Sequence, residues 1–184
     1  FLQKYQDSKV IYDPRVVWNT LDVVNCHGGL ALASKTGHVF IKRAMRDEDA
    51  IYGGEMSAHH YFRNFAYCDS GMIPWLMVWE LLSSKKTTLY DLIDARKLLF
   101  PSSGEINFKV ADASNCIKIL KDMFADDANS IDELDGLSVS FKSWRFNVRK
   151  SNTEPLVRLN VETRGDEKLL NEKIDQLRGL ILRI

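Results

Sequence analysis

Apolar and polar positions follow two different rhythms along the chain. "KVIY" (Lys9–Tyr12) is a β-rich run closed by the turn-forming pair Asp13-Pro14. Residues 16–26, "VVWNTLDVVNC", place Val17, Leu21 and Val24 on one helical face, and Gly28-Gly29 ends that helix. "LALA" predicts a second strand, "SKTG" a tight loop, and residues 38–46 a helix with Phe40, Ile41 and Met45 inward. "AIYGG" at 50–54 predicts a third strand. Strand, helix, strand, helix, strand demands crossover connections and a mostly parallel sheet. "DSGMIPWLMVWELLSS" and "TLYDLIDAR" predict two further helices, with Pro74 tolerable only near a first turn.

The rhythm changes at Phe100-Pro101-Ser102-Ser103-Gly104, a hinge by composition. "EINFKV" alternates as a strand, and Asp112 or Ser114 is placed to cap a helix through Phe124. "LSVSF", "WRFNV" and "LVRLNVET" are strands of period two, and a last helix covers 166–182. The reading is two small lobes, 1–98 and 99–184, without internal repeats.

Composition narrows the partners. The 184 residues are 45% hydrophobic and 27% charged, a globular profile, with 25 basic against 25 acidic side chains. No global field draws nucleic acid or a membrane surface, so any anion recognition is local. Cys26, Cys68 and Cys116 form no CxxC pair, which points to free thiols in a reducing cytoplasm rather than a zinc centre. No apolar run has membrane-spanning length. Phe1 is no initiator methionine, so an excerpt of a longer protein is expected.

Three polar segments follow predicted strands, where α/β proteins place binding groups. Ser34-Lys35-Thr36-Gly37-His38 reads either as an anion- or hydroxyl-binding helix start or as a plain connection capped by Ser34 or Thr36. In "GGEMSAHHYF" (53–62), Glu55 can accept from vicinal hydroxyls, Ser57 can donate or accept, and His59 can carry a proton near neutrality. The alternative is a Gly-Gly turn with half-buried histidines. Glu55 and His59 lie four apart, but Gly53-Gly54 argues against the helix a metal pair would use, and no metal site is expected. "RKSNTEP" (149–155) offers a cation fork and hydroxyls to a phosphate, or is a solvated hairpin loop.

Together these segments resemble the phosphohexomutases, specifically bacterial phosphomannomutases. "GGEMSAHH" resembles their sugar-recognition loop, "RKSNTEP" their phosphate-binding loop, and "SKTGH" a further substrate loop. The resemblance covers the whole chain as the family's third and fourth domains. It implies a mixed α/β layered domain followed by a small TATA-binding-protein-like antiparallel sheet with helices. It also implies that Glu55 and Ser57 grip adjacent sugar hydroxyls, that His38 and His59 contact substrate, and that His59 serves either as a hydrogen-bond donor or as a proton carrier. Arg15 falls where a relative has a substrate-contacting lysine. Arg149, Ser151, Asn152 and Thr153 would hold the non-reacting phosphate of mannose 6-phosphate or mannose 1-phosphate. The family's phosphoserine and its magnesium-holding Asp-Gly-Asp loop match nothing in these residues. Mg2+ and catalysis are therefore expected from the missing first and second domains of a cytoplasmic enzyme. The 184 residues alone are expected to be inactive.

Overall fold

A computed structural model of the chain describes residues 1–151 and 154–184, which form two compact units, Phe1–Ala95 and Arg96–Ile184. In the first, β1 (Lys9–Tyr12) leads through α1 (Trp18–Cys26) to β2 (Leu30–Ala33), and α2 (His38–Asp47) leads to β3 (Tyr52–Gly54). β2 and β3 flank β1 and run parallel to it, with Lys9 opposite Leu30 and Val10 opposite Tyr52. β4 (His60–Phe62) and β5 (Cys68–Asp69) extend the sheet antiparallel, giving the order β2-β1-β3-β4-β5. The sheet is thus mixed, not mostly parallel. The short stretch between Gly54 and His60 cannot make a crossover, which needs about a dozen residues.

β1, an interior strand, is buried on both faces, which is why "KVIY" shows no polar alternation. Val10 packs with Leu2, Val24 and Ile51 on one side. Ile11 packs with Ile41, Met45, Ala50 and Tyr61 on the other. α2 lies so close to β3 that a Cβ on Gly53 would meet Met45 Sδ at 2.8 Å and Ile41 Cγ2 at 3.0 Å. Phe40 does not join this face, contrary to expectation, and is 50% exposed. Ile41 and Met45, one turn apart, take the sheet side, and Phe40 lies about 100° around the helix from its neighbour.

α3 (Met72–Lys85) carries Pro74 in its first turn, where the missing N–H costs no helical hydrogen bond, and α4 (Leu89–Leu99) follows. Neither helix has a buried residue.

In the second unit, β6 (Ile106–Lys109) and α5 (Ala113–Phe124) precede β7 (Ser130–Asp132), β8 (Leu137–Ser140), β9 (Trp144–Lys150) and β10 (Leu156–Thr163). α6 (Glu167–Ile181) closes the chain. Asp112 caps α5, accepting from the N–H groups of Ser114 and Asn115, and Asp166 caps α6 through Leu169 N–H. The sheet is antiparallel throughout, in the order β6-β10-β9-β8-β7. Period-two alternation sends Trp144, Phe146, Val148, Val157, Leu159 and Val161 into one core with α5 and α6. The intervening residues form polar rungs: Arg145 opposite Glu162, Asn147 opposite Asn160, Arg149 opposite Arg158. The Arg145–Glu162 pair, at 2.7 Å, is almost wholly buried. A layered α/β unit followed by an antiparallel sheet with helices is the architecture implied by the sequence. No described helix is long and apolar enough to cross a membrane.

Candidate functional site

The loops after β1, β2 and β3 all leave the carboxyl ends of parallel strands, the side on which open α/β sheets bind ligands. The turn from Glu55 to His59 is held by its own backbone: Glu55 N–H donates to His59 O at 3.0 Å, and Ala58 N–H to Glu55 O at 3.0 Å. Its flank is pinned by Asp13, whose Oδ2 accepts from Met56 N–H at 2.7 Å. Asp13 also accepts from Arg15 three times, from the backbone N–H, Nε and Nη2, at 2.9, 3.0 and 2.8 Å. Arg15 Nη2 reaches Ser57 Oγ at 3.4 Å. Arg15 and Asp13 are both buried, so Arg15 braces the turn from within, while Ser57 itself stays exposed.

Glu55 is only 8% exposed. Its Oε2 accepts from the Tyr61 hydroxyl at 2.6 Å, and its Oε1 accepts from Gly37 N–H at 2.9 Å. Gly37 is the N-cap of α2, so the helix start is satisfied by a carboxylate from the neighbouring loop rather than by Ser34 or Thr36. Gly37 adopts φ 119° and ψ 146°, a region open in practice to glycine alone. Burial, reinforced by the hydrogen bond to Glu55, pushes the Tyr61 hydroxyl far above its ordinary pKa, so it remains a donor. Each Glu55 oxygen keeps a further lone pair for a ligand hydroxyl.

His38, the first residue of α2, is exposed, and its ring stands edge-on to that of His59 at 4.4 Å. His59 Nδ1 lies 2.8 Å from Asp69 Oδ2, and Asp69 Oδ1 accepts from His60 N–H at 3.0 Å. Burial works to raise the Asp69 pKa, but hydrogen bonds from His59 and His60 prevail and hold it below the ordinary value. Asp69 is therefore an ionised acceptor. Neutral His59 must place its hydrogen on Nδ1 and leave Nε2 as the acceptor. His60 points elsewhere: its Nδ1 meets the Tyr52 hydroxyl at 2.6 Å. Burial pushes the His60 pKa down, with the Asp69 charge opposing. Burial also pushes Tyr52 up to about 12.

In the second unit, Arg149 and Lys150 extend β9 instead of belonging to the loop. Arg149 faces Arg158 directly across the strands, a like-charge pairing that is unfavourable alone. Glu105 resolves it, accepting from Arg149 Nη2 at 3.1 Å and lying 3.2 Å from Arg158 Nη1. Among the described residues, Arg149 Nε is buried without a hydrogen-bond partner. Ser151 N–H closes the hairpin onto Leu156 O at 2.9 Å. Asn152 and Thr153 lie outside the described residues.

Among the sequence candidates, Arg15, His38, Glu55, Ser57 and His59 come together in the first unit, while Arg149 and Ser151 lie in the second. Asp13, Tyr61, Asp69 and Glu105 escaped the sequence reading. Asp13 had the outward signs of a turn residue, and Tyr61 those of a core aromatic. Asp69 and Glu105 reach their partners only through strand pairing.

The fold is that of an α/β protein with polar loops at the carboxyl ends of its parallel strands. The phosphoglucomutase/phosphomannomutase alpha/beta/alpha domain III profile matches residues 1–98, and the family's C-terminal domain profile matches residues 105–180. The chain belongs to the phosphoglucomutase/phosphomannomutase family. It is 55% identical over 181 residues to a phosphomannomutase of Escherichia coli, covering 98% of this chain and 40% of that protein. It is 53% identical over 180 residues to a Xanthomonas campestris pv. campestris protein named phosphohexose mutases, with the same two coverages. A phosphoglucomutase/phosphomannomutase family protein from Burkholderia thailandensis superposes with a TM-score of 0.79 at 27% identity, over 97% of this chain and 38% of that one. The chain thus spans about two fifths of the relatives it matches, as their third and C-terminal domains.

Proposed function

We propose that these residues are the substrate-reading half of a cytoplasmic phosphomannomutase. The enzyme would interconvert mannose 6-phosphate and mannose 1-phosphate through an enzyme phosphoserine and a hexose bisphosphate. Its product would supply GDP-mannose for surface polysaccharide. One observation carries the reading: a single clamped turn presents a carboxylate, a hydroxyl and an imidazole beside the imidazole of His38. Glu55 and Ser57 take adjacent hexose hydroxyls. His59 Nε2 accepts the proton of the hydroxyl that receives the phosphoryl group, and Asp69 keeps the ring in the accepting tautomer. Arg149, with Ser151, Asn152 and Thr153, takes the phosphate that is not reacting, and that anion competes with Glu105 for the guanidinium.

The phosphoserine and Mg2+ are assigned to the first and second domains of the complete protein, where the metal would stabilise charge on the transferring phosphoryl group. Within this chain Asp135-Gly136-Leu137 does not fit an Asp-Gly-Asp loop, because a fully buried leucine stands where the second carboxylate would be needed.

Calorimetric titration with mannose 1-phosphate tests the binding role. Glu55→Ala and Arg149→Ala each weaken binding about tenfold or more, through lost charge-assisted hydrogen bonds. Lys85→Ala, at the exposed end of α3, leaves it unchanged. Equal affinity in all three variants would refute the assignment. The joint family name and the hexose-wide name of the Xanthomonas relative favour a second reading, a dual mannose and glucose enzyme. Comparable affinities for mannose 1-phosphate and glucose 1-phosphate would select it.

A further inference from the structure

We propose that His38, His59 and Asp69 form a binding site for a zinc-type divalent cation. One ligand atom from each residue lies within 4.8 Å of the other two. For His59 and Asp69 the facing atoms are Nδ1 and Oδ2, already 2.8 Å apart. A tetrahedral zinc with ligands at about 2.0–2.2 Å needs ligand separations of about 3.3 Å, within reach of small side-chain rotations. Asp69 is held by His60 N–H and by the β4–β5 pairing, which places it opposite Tyr61, while His38 is exposed with its ring already 4.4 Å from that of His59.

The donor set selects the metal. Two imidazoles and one carboxylate suit zinc or cobalt, whereas magnesium asks for near-octahedral oxygen ligands. The Asp69 carboxylate is itself a ligand, and the Glu55 carboxylate, bonded to Tyr61 whose ring neighbours those of His38 and His59, adds negative charge. The cation takes the place of the hydrogen on His59 Nδ1, and the neutral imidazole carries that hydrogen on Nε2 instead, so no net proton is released. Position in the sequence hides the site, because its members come from α2, the clamped turn and β5. The site itself stands on geometry and not on the proposed function. Only one consequence rests on that reading: a metal at Nδ1 turns Nε2 from acceptor to donor and so silences the proton acceptor.

Cobalt titration of the 184-residue chain with Cys26→Ser and Cys68→Ser, followed by proton NMR of its four histidines, tests this. One equivalent should shift the ring signals of His38 and His59, zinc should reverse the shifts by displacement, and magnesium at equal concentration should not. Zinc affinity should fall about tenfold or more in His59→Ala. Shifts confined to His27 or His60, or none at millimolar cobalt, would overturn the site. So would undiminished zinc affinity in both His38→Ala and His59→Ala. The cobalt shifts are read on the parent fold, so a variant that fails to fold leaves the test intact. Sugar titrations run with chelator score the proposed function separately.

Discussion

At Glu55 one carboxylate joins the hydroxyl of Tyr61 to the amide of Gly37, so the candidate ligand group is itself a structural link. Tyr61→Phe removes one hydrogen bond to a buried charge and should lower stability by about 1.5–3 kcal/mol, read from the urea midpoint. Asp69→Asn offers His59 an amide that can also donate, which releases the tautomer. In the complete enzyme kcat should fall roughly 10²-fold while KM changes little, with Nε2–H appearing in 15N spectra of the ring. An unchanged tautomer would show that Asp69 is only structural. Tyr52 sets an alkaline limit. Burial raises its folded pKa to about 12 from the ordinary 10.0, so its contribution is complete below pH 10 and is lost as pH rises toward 12. The loss should be about 2–3 kcal/mol across that window, and Tyr52→Phe should flatten it. Glu55, Ser57 and His59 could be picked out as candidates because they fall within one five-residue stretch. Asp13, Tyr61 and Asp69 were not, because their roles exist only after strands pair and loops stack.

Among the elements, α2 depends on glycine at both its approaches, for different reasons. A Cβ at Gly37 would find space, its nearest contact being Phe40 Cδ2 at 3.8 Å, but the backbone at φ 119° is strained for any other residue. Gly37→Ala should therefore cost about 1–3 kcal/mol and weaken sugar phosphate binding, since Glu55 loses its aligned amide. Gly53→Ala is overpacking instead and should cost about 1–3 kcal/mol by forcing Met45 and Ile41 aside. Chemical denaturation measures both. Longer elements could be read from periodicity, as in α5, β9 and β10. β4, β5 and β7 could not, because runs of two or three residues hold too little alternation to register. The antiparallel turn back from β3 was equally hidden, and with it the mixed sheet.

For the whole molecule, formal neutrality meets an uncovered apolar helix. Met72, Trp75, Leu76 and Trp79 on α3 are each more than half exposed, and the net charge is zero. The 184-residue chain should self-associate as its concentration rises, and Trp75→Lys with Trp79→Lys should abolish this in sedimentation velocity. Polar and basic substitutions elsewhere on the surface test whether the effect belongs to α3. The clamp on residues 55–59 carries a different implication, for selectivity. With Asp13 fastening the amide of Met56, that side chain can be exchanged while the carboxylate and imidazole on either side hold their stations. If the proposed function holds, a library confined to position 56 should redistribute preference among epimeric sugars while leaving the clamped turn intact.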